Sequence, residues 1–432
     1  MNDPVRHRVA VTGLGVKSPA GCDLDTFWTT LVEGRSCAGP IRRIDVSALP
    51  VQFACEVPDF DPEAYLGYKE ARRADRVAQL GFAAAADAVA HAGDVATDPA
   101  RCGVVCGTGV GGLITQEEQE LELFRRGASK VSPFLVPMMM ANATAALVAM
   151  KLGWTGPNFC IATACTAGTH ALGEAARLVR DGSADVVLAG GTEACLTPIA
   201  LASFARMGAL STRSDDPKRA SRPFDPDRDG FVIGEGAGFL VLERWDRAQS
   251  RGATIWGEVV GYARNADAYH VTAPSPGGVG AAACMELALA DAGLSASDVG
   301  HVNAHGTSTQ LNDAAEGEAL VKVFGEDGPP VTSIKGAVGH LIGAAGAVEA
   351  VASLLSLHHG LVPPTANHDR TDPDLALDVV AGSPRPLAPA PVVSNSFGFG
   401  GHNASLVLAP PVLAPPVSTP PVSAAPPARP PA

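Results

Sequence analysis

The sequence predicts an α/β protein made of two consecutive runs of strands and helices. Three observations carry that reading. Apolar stretches of strand length repeatedly end in glycine turns and give way to helix-compatible runs, the pattern of buried parallel strands joined by helices. The order of elements restarts near Ile255, and each run delivers a turn with reactive residues followed by a Gly/Ala-rich helix: Cys165 onward in the first, Lys335 to Glu349 in the second. Glycine is abundant (47 residues) and aromatics are few (5%), which suits helices packed closely on sheets and two halves stacked into one layered molecule.

In the first run, Arg8 to Gly15 reads as a buried strand ending in a glycine turn, and Asp25 to Leu31 as a helix. Tyr68 to His91 reads as one long helix, basic at its start (Lys69, Arg72, Arg73, Arg76) and then Ala-rich. Arg101 to Gly112 is a strand and glycine turn leading into the acidic helix Ile114 to Phe124. Gly107, Gly109 and Gly112 satisfy G-x-G-x-x-G, but the acidic residue that a dinucleotide site needs about twenty residues on is missing. Close strand–helix packing explains these glycines better than a cofactor. Ile161 to Cys165 is a strand ending in a cysteine, and Thr169 to Arg180 is the helix after it. Asp185 to Ala194 is a continuous apolar strand, and Phe231 to Glu243 supplies one or two more.

The second run begins with the strand Ile255 to Tyr262 and the helix Val279 to Ala292. His301 to Ala304 is a short strand, Thr309 to Val323 a helix, and Pro330 to Ile334 a strand. A helix from Gly339 to His358 follows, and strands at Pro391 to Asn395 and Ala404 to Leu408 close the pattern. Residues 1–254 and 255–409 thus form two halves. Residues 410–432 are proline-rich; proline supports neither ladders nor helices, so disorder is expected there.

Composition narrows the function. A chain of 432 residues, 46% hydrophobic, can bury a large core. A formal net charge of −13 argues against wholesale nucleic-acid binding. The nine cysteines are an odd number without framework or zinc-site spacing. Neither a leader peptide nor an apolar stretch of spanning length is evident, so a reduced, cytoplasmic protein without a metal or membrane association is expected.

The chemistry centres on Cys165. A strand, a tight turn and a helix place its thiol at the positive end of a helix, which favours a thiolate and lowers a pKa ordinarily about 8.5. A small buried core cysteine is the bland alternative. Three further stretches combine polar reactive groups with glycines: Asn303 to Thr309 around His305, Ser333 to Gly346 around Lys335 and His340, and Asn395 to Asn403 around Phe397 and Phe399. Two histidines on separate glycine-flanked turns suit a thiol nucleophile, which needs groups that move protons or hold an oxyanion.

These four motifs, in this order, resemble the elongating β-ketoacyl-acyl-carrier-protein synthases of the thiolase superfamily, over about residues 9–408. The segments Val11 to Gly15, Arg222 to Asp225 and Arg228 to Phe231 fit as well. The resemblance implies a thiolase-like duplicated fold of five layers, α-β-α-β-α. It implies Cys165 as the acyl-accepting nucleophile, His305 and His340 as the catalytic pair, and Lys335 as their electrostatic support with Glu349 as its partner. Phe399 would gate the acyl pocket, its N–H joining that of Cys165 in an oxyanion hole. Thr307 and Thr309 would meet the pantetheine arm or the malonyl group, Thr272 belongs to a mobile loop from Asp267, and Val110, Phe204 and Phe397 would line the substrate site. Lys69, Arg72, Arg73 and Lys130 would form a basic dock for an acidic acyl carrier protein; a solvated helix face explains each equally well.

The implied reaction is decarboxylative condensation of a Cys-bound acyl chain with malonyl carrier protein, in fatty-acid or polyketide synthesis. No cofactor is implied, since phosphopantetheine arrives on the carrier. The implied partner is a second copy of the chain or a related chain-length factor. Some positions depart from the family: His402 replaces a common threonine, Gly208 a basic residue, and Met138, Met139 and Met140 a less sulfur-rich segment. A non-catalytic subunit would lack the cysteine. A starter-type synthase would carry asparagine at position 340, and a thiolase a second reactive cysteine near its C-terminus.

Overall fold

The computed structural model describes residues 6–95 and 98–411. The first half contributes β1 (Val9–Lys17), β2 (Cys102–Gly107), β3 (Asn158–Ile161), β4 (Val186–Glu193) and β5 (Gly236–Arg244). The second contributes β6 (Gly257–Ala266), β7 (His301–Asn303), β8 (Val331–Thr332), β9 (Val392–Gly398) and β10 (His402–Ala409). The strands form one continuous ten-stranded ladder, β3-β2-β4-β5-β1-β6-β10-β9-β7-β8, which divides between β1 and β6 into a first and a second five-stranded sheet. In the first, β2 runs parallel to β3 and β4, and β5 runs antiparallel to β4 and β1. The second repeats these directions strand for strand. The halves join edge to edge through two antiparallel pairings only, Ala10 with Glu258 and Val11 with Gly257.

Seven helices position the layers: α1 (Arg76–Ala92), α2 (Leu113–Arg126), α3 (Ala143–Leu152), α4 (Ala167–Arg180), α5 (Val279–Ala292), α6 (Gln310–Phe324) and α7 (Ala345–His359). Helix α1 covers the outer face of the first sheet and α5, backed by α6, that of the second. Helices α4 and α7 lie between the sheets, α4 mainly on β4 and β2 and α7 on β5 and β9. Five layers result, α-β-α-β-α.

The middle layer is closed by two glycines at matching positions. A Cβ on Gly168 would come within 2.8 Å of the Ala347 nitrogen, and one on Gly346 within 1.9 Å of Thr169 Oγ1. The N-terminal turns of α4 and α7 therefore abut backbone to backbone, which only hydrogen side chains permit. Gly107 serves the same end, because a Cβ there would meet the Ala167 carbonyl at 2.3 Å.

Two expected helices are broken. The run from Tyr68 splits into Tyr68–Ala71 and α1, because Asp75 adopts an extended backbone and caps α1 through the Val77 N–H. Its second carboxylate oxygen takes the Thr115 N–H, a partner distant in the chain. The run from Gly339 loses its first turns: Gly339, at φ 71°, ends the short helix Lys335–Val338, and α7 starts only at Ala345. The gap between them holds His340. The proline-rich stretch expected to be disordered falls almost wholly outside the described residues. Among the described residues, no helix is long and apolar enough to cross a membrane.

Candidate active site

The chain between β3 and α4 forms a strained elbow. Ala164 sits at φ 52°, a left-handed conformation that costs a residue with a side chain about 1–2 kcal/mol. The strain turns Cys165 out of the strand direction. Gly398 at the end of β9 lets a second backbone approach, since a Cβ there would lie 3.2 Å from the Cys165 nitrogen. The backbone N–H groups of Phe399 and of Cys165 itself both act on the sulfur to favour its anion. Burial outweighs them and the Lys335 charge, and pushes the thiol up to about 11. This corrects the expectation of a depressed pKa: Cys165 is 7% exposed, and water lost from a thiolate is not made good by a helix end alone.

Both histidines come from loops of the second half. His340 Nε2 lies 3.0 Å from Cys165 Sγ, and its Nδ1 accepts the Ile342 N–H at 3.2 Å. His305 stands edge-on to His340, with ring centroids 5.3 Å apart. Its Nδ1 faces Lys335 Nζ at 3.3 Å, and Lys335 in turn is paired with Glu349. Both Nδ1 atoms thus receive donors, which puts each ring's proton on Nε2. Burial holds both imidazoles far below their ordinary pKa, the Lys335 charge acts the same way, and His340 adds to it for His305. The site therefore holds two neutral rings with Nε2–H bonds turned away from Lys335 and the Ile342 amide, that of His340 onto Cys165 Sγ.

That cavity, of about 400 Å³, is lined by Cys165, His305, His340 and Phe399. Thr307, Thr309, Thr272, Val110, Phe204 and Phe397 lie in its wall too. Lys335 and Glu349 stand behind it, 1% and 2% exposed. The Phe399 turn and the Thr272 loop are tied together: Gly400 N–H donates to the Val271 carbonyl at 2.7 Å and Asp267 N–H to the Gly401 carbonyl at 2.8 Å. Lys69, Arg72, Arg73 and Lys130 are exposed and none lines the cavity. Arg72 stacks on Tyr68 and Arg73 on Phe134, 4.5 Å from ring centroid in the second case.

Two buried carboxylates escaped the sequence reading. Glu316 accepts the His305 N–H at 2.8 Å and the Gly306 N–H at 2.7 Å, fixing the first histidine turn. Glu193, at the end of β4, accepts the Gly109 N–H at 2.6 Å, the Gly343 N–H at 3.1 Å and the Thr108 hydroxyl at 3.1 Å. It thereby clamps the loops that bear Val110 and Ile342 onto the cavity. Burial raises both carboxyls to about 7. The one available signal was an acidic residue closing an otherwise apolar strand.

Comparison with known proteins agrees with this geometry. Residues 6–248 match the β-ketoacyl synthase N-terminal domain and residues 256–369 its C-terminal domain. The 3-oxoacyl-[acyl-carrier-protein] synthase 2 of Synechocystis sp. is 47% identical over 93% of this chain and 97% of its own. Among solved structures, the ishigamide ketosynthase/chain length factor superposes with a TM-score of 0.88 at 37% identity, covering 94% of this chain and 99% of that one. A type II polyketide ketosynthase bound to its acyl-carrier protein gives 0.87 at 33% identity, over 94% and 100%. With both domains matched in order around one shared cavity, the chain belongs to the β-ketoacyl synthase family.

Proposed function

We propose that the chain catalyses decarboxylative condensation on acyl carrier proteins, with Cys165 as nucleophile and His305 and His340 as paired N–H donors. The observation that carries this reading is the hydrogen-bond polarity at the two rings. A carbon–carbon-bond-forming acyltransferase must stabilise an enolate without protonating it, and neutral imidazoles held as Nε2–H donors suit that task.

In the first half-reaction the Cys165 sulfur attacks the acyl thioester. The negative oxygen of the tetrahedral intermediate sits between the Cys165 and Phe399 N–H groups. The thiol proton leaves with the departing carrier thiol, so atoms balance. In the second, malonyl thioester enters beside Thr307 and Thr309 and loses CO₂. The enolate oxygen takes the Nε2–H bonds of His305 and His340, and its carbon attacks the Cys165 thioester. β-Ketoacyl carrier protein departs and leaves the thiolate, which regains a proton from solvent. Lys335 keeps His305 neutral and its proton on Nε2. The chemistry needs no metal or organic cofactor of the protein's own; the pantetheine arm belongs to the carrier.

The 47% identity to a 3-oxoacyl-[acyl-carrier-protein] synthase 2, against 33% to the type II polyketide ketosynthase, favours fatty-acid elongation over a polyketide role. The protein works in the cytoplasm as a dimer with itself or a chain-length factor. Supporting the dimer, β3 lies at the edge of the ladder and exposes Phe159 at 37%, and Phe134, Val136 and Met140 are exposed as well. A free apolar strand edge invites antiparallel pairing across a two-fold axis.

Intact-mass measurement after incubation with acyl carrier proteins tests the assignment. The wild-type chain gains one acyl group and Cys165→Ala none, while malonyl carrier protein then yields CO₂ and β-ketoacyl product from the acylated enzyme alone. Product formation by Cys165→Ala would overturn it.

A further inference from the structure

The reacting groups have a second identity. Cys165, His305 and His340 each offer one ligand atom, and these atoms lie within 4.8 Å of one another. Among the described residues, no other three Cys, His or acidic side chains meet so closely. One sulfur and two imidazole nitrogens around an open fourth position make a donor set suited to a transition metal such as zinc, which binds sulfur at about 2.3 Å and nitrogen at about 2.0–2.1 Å. All three are buried at the floor of a cavity that opens to solvent, so an ion could reach them. A nucleophile in that setting is exposed to capture by any free thiophilic cation.

What opposes capture is the far side of each ring. A metal-bound imidazole gives up the proton on its ligating nitrogen and donates the one on the other nitrogen to an acceptor. Here both far nitrogens face donors: the Ile342 N–H at His340 Nδ1, 3.2 Å away, and the Lys335 ammonium at His305 Nδ1, 3.3 Å away. Metal ligation through Nε2 would set N–H against N–H at His340 and N–H against ammonium at His305. Neither donor can turn aside. The Ile342 amide is fixed by a left-handed backbone, φ 48°, with the next N–H held by Glu193. Lys335 is anchored by Glu349, and the His305 backbone by Glu316.

We infer that Lys335 and the Ile342 N–H guard Cys165 against transition-metal ions by holding both imidazoles in the tautomer that cannot ligate through Nε2. The arrangement receives an oxygen anion and rejects a cation of the same size. Metal exclusion stands on this geometry and not on the reaction proposed above, and its test reads no turnover.

The test is a Co²⁺ titration of the full chain, followed by the near-ultraviolet thiolate-to-cobalt band, with Zn²⁺ as competitor. The variant is Lys335→Gln with Glu349→Gln, which leaves no buried charge unpaired and offers an amide oxygen to His305 Nδ1–H. It is expected to bind Co²⁺ about 10–100-fold more tightly than the wild type, the range by which such outer partners change metal affinity. The band should vanish when Cys165→Ser is added, which separates this site from the eight other cysteines, all free. Equal affinity in wild type and the double variant, with the band arising from Cys165 in both, would overturn the inference. A second measurement needs only the wild type: alkylation of Cys165, mapped by mass, should proceed at the same rate with and without micromolar Zn²⁺, and protection by Zn²⁺ would overturn it.

Discussion

Lys335→Met should destabilise the fold far more than the removal of one lysine usually does. The ammonium and the Glu349 carboxylate are 1% and 2% exposed and pair with each other inside the protein. Burial already pushes the Glu349 carboxyl up, and Lys335 is what opposes that. Truncating the lysine leaves a carboxylate with no counter-charge and one oxygen, Oε2, already without a hydrogen-bond partner. Breaking a pair so deeply buried costs about 3–5 kcal/mol, most of it the desolvation of the survivor. Glu349→Gln alone should cost a similar amount for the mirror reason. The double variant Lys335→Met/Glu349→Gln removes both charges and should recover at least about half of the summed loss, a coupling of several kcal/mol between contacting residues. Urea unfolding of all four proteins, followed by circular dichroism, measures the cycle. Single variants within about 1 kcal/mol of wild type, or a coupling near zero, would refute a charged, mutually dependent pair. The same Lys335→Met protein should still acylate Cys165 but release less CO₂ from malonyl carrier protein, since only the second half-reaction relies on His305 as a donor.

Other outcomes follow from particular residues. His301 is 2% exposed with both ring nitrogens unpartnered, and burial lowers its pKa to about 3. The unfolded chain takes up a proton near pH 6.5 that the folded chain refuses, so stability is lost as pH falls below that point, by about 1.4 kcal/mol per unit for this group. His301→Leu should therefore gain about 1 kcal/mol over wild type on going from pH 6.5 to 5.5, the full slope being reached only below that range, read by urea unfolding at the two pH values; a constant difference would refute the buried neutral ring. Val110→Phe should shorten the longest acyl chain retained at Cys165, seen by intact mass, with acetyl-length loading unchanged. Glu193→Gln turns an amide donor toward N–H donors in both loops and should blur chain-length selection before it abolishes loading. Phe159→Lys places a charge on the β3 edge and should yield monomers in sedimentation if that edge forms the subunit interface.

Much of the site was legible because its chemistry is written locally. Cys165, His305 and His340 each sit on a turn flagged by glycines or small residues, and the layer order follows from the restart near Ile255. The rest depends on partners far along the chain. Glu193 meets the Gly109 N–H across 84 positions and the Gly343 N–H across 150, and nothing near residue 193 announces either. The break before α1 depends on Asp75 reaching the Thr115 N–H, so a pattern of apolar spacing alone ran the helix on. The Cys165 thiol was misjudged because helix ends are visible in a sequence and desolvation is not.

The abutting turns of α4 and α7 set up a field that the composition conceals. Two helices aim their amino-terminal ends at one point, and each carries a partial positive charge there of roughly half a unit. Lys335 lies alongside but is paired with Glu349, so in a molecule of net charge −13 the helix ends themselves make the local positive well. The acidic exterior thins the traffic of stray anions, while the well rewards a carboxylate delivered on a tethered arm. Selectivity for a carried substrate over its free acid can then arise from the sign of the potential along the path, before any side chain makes contact.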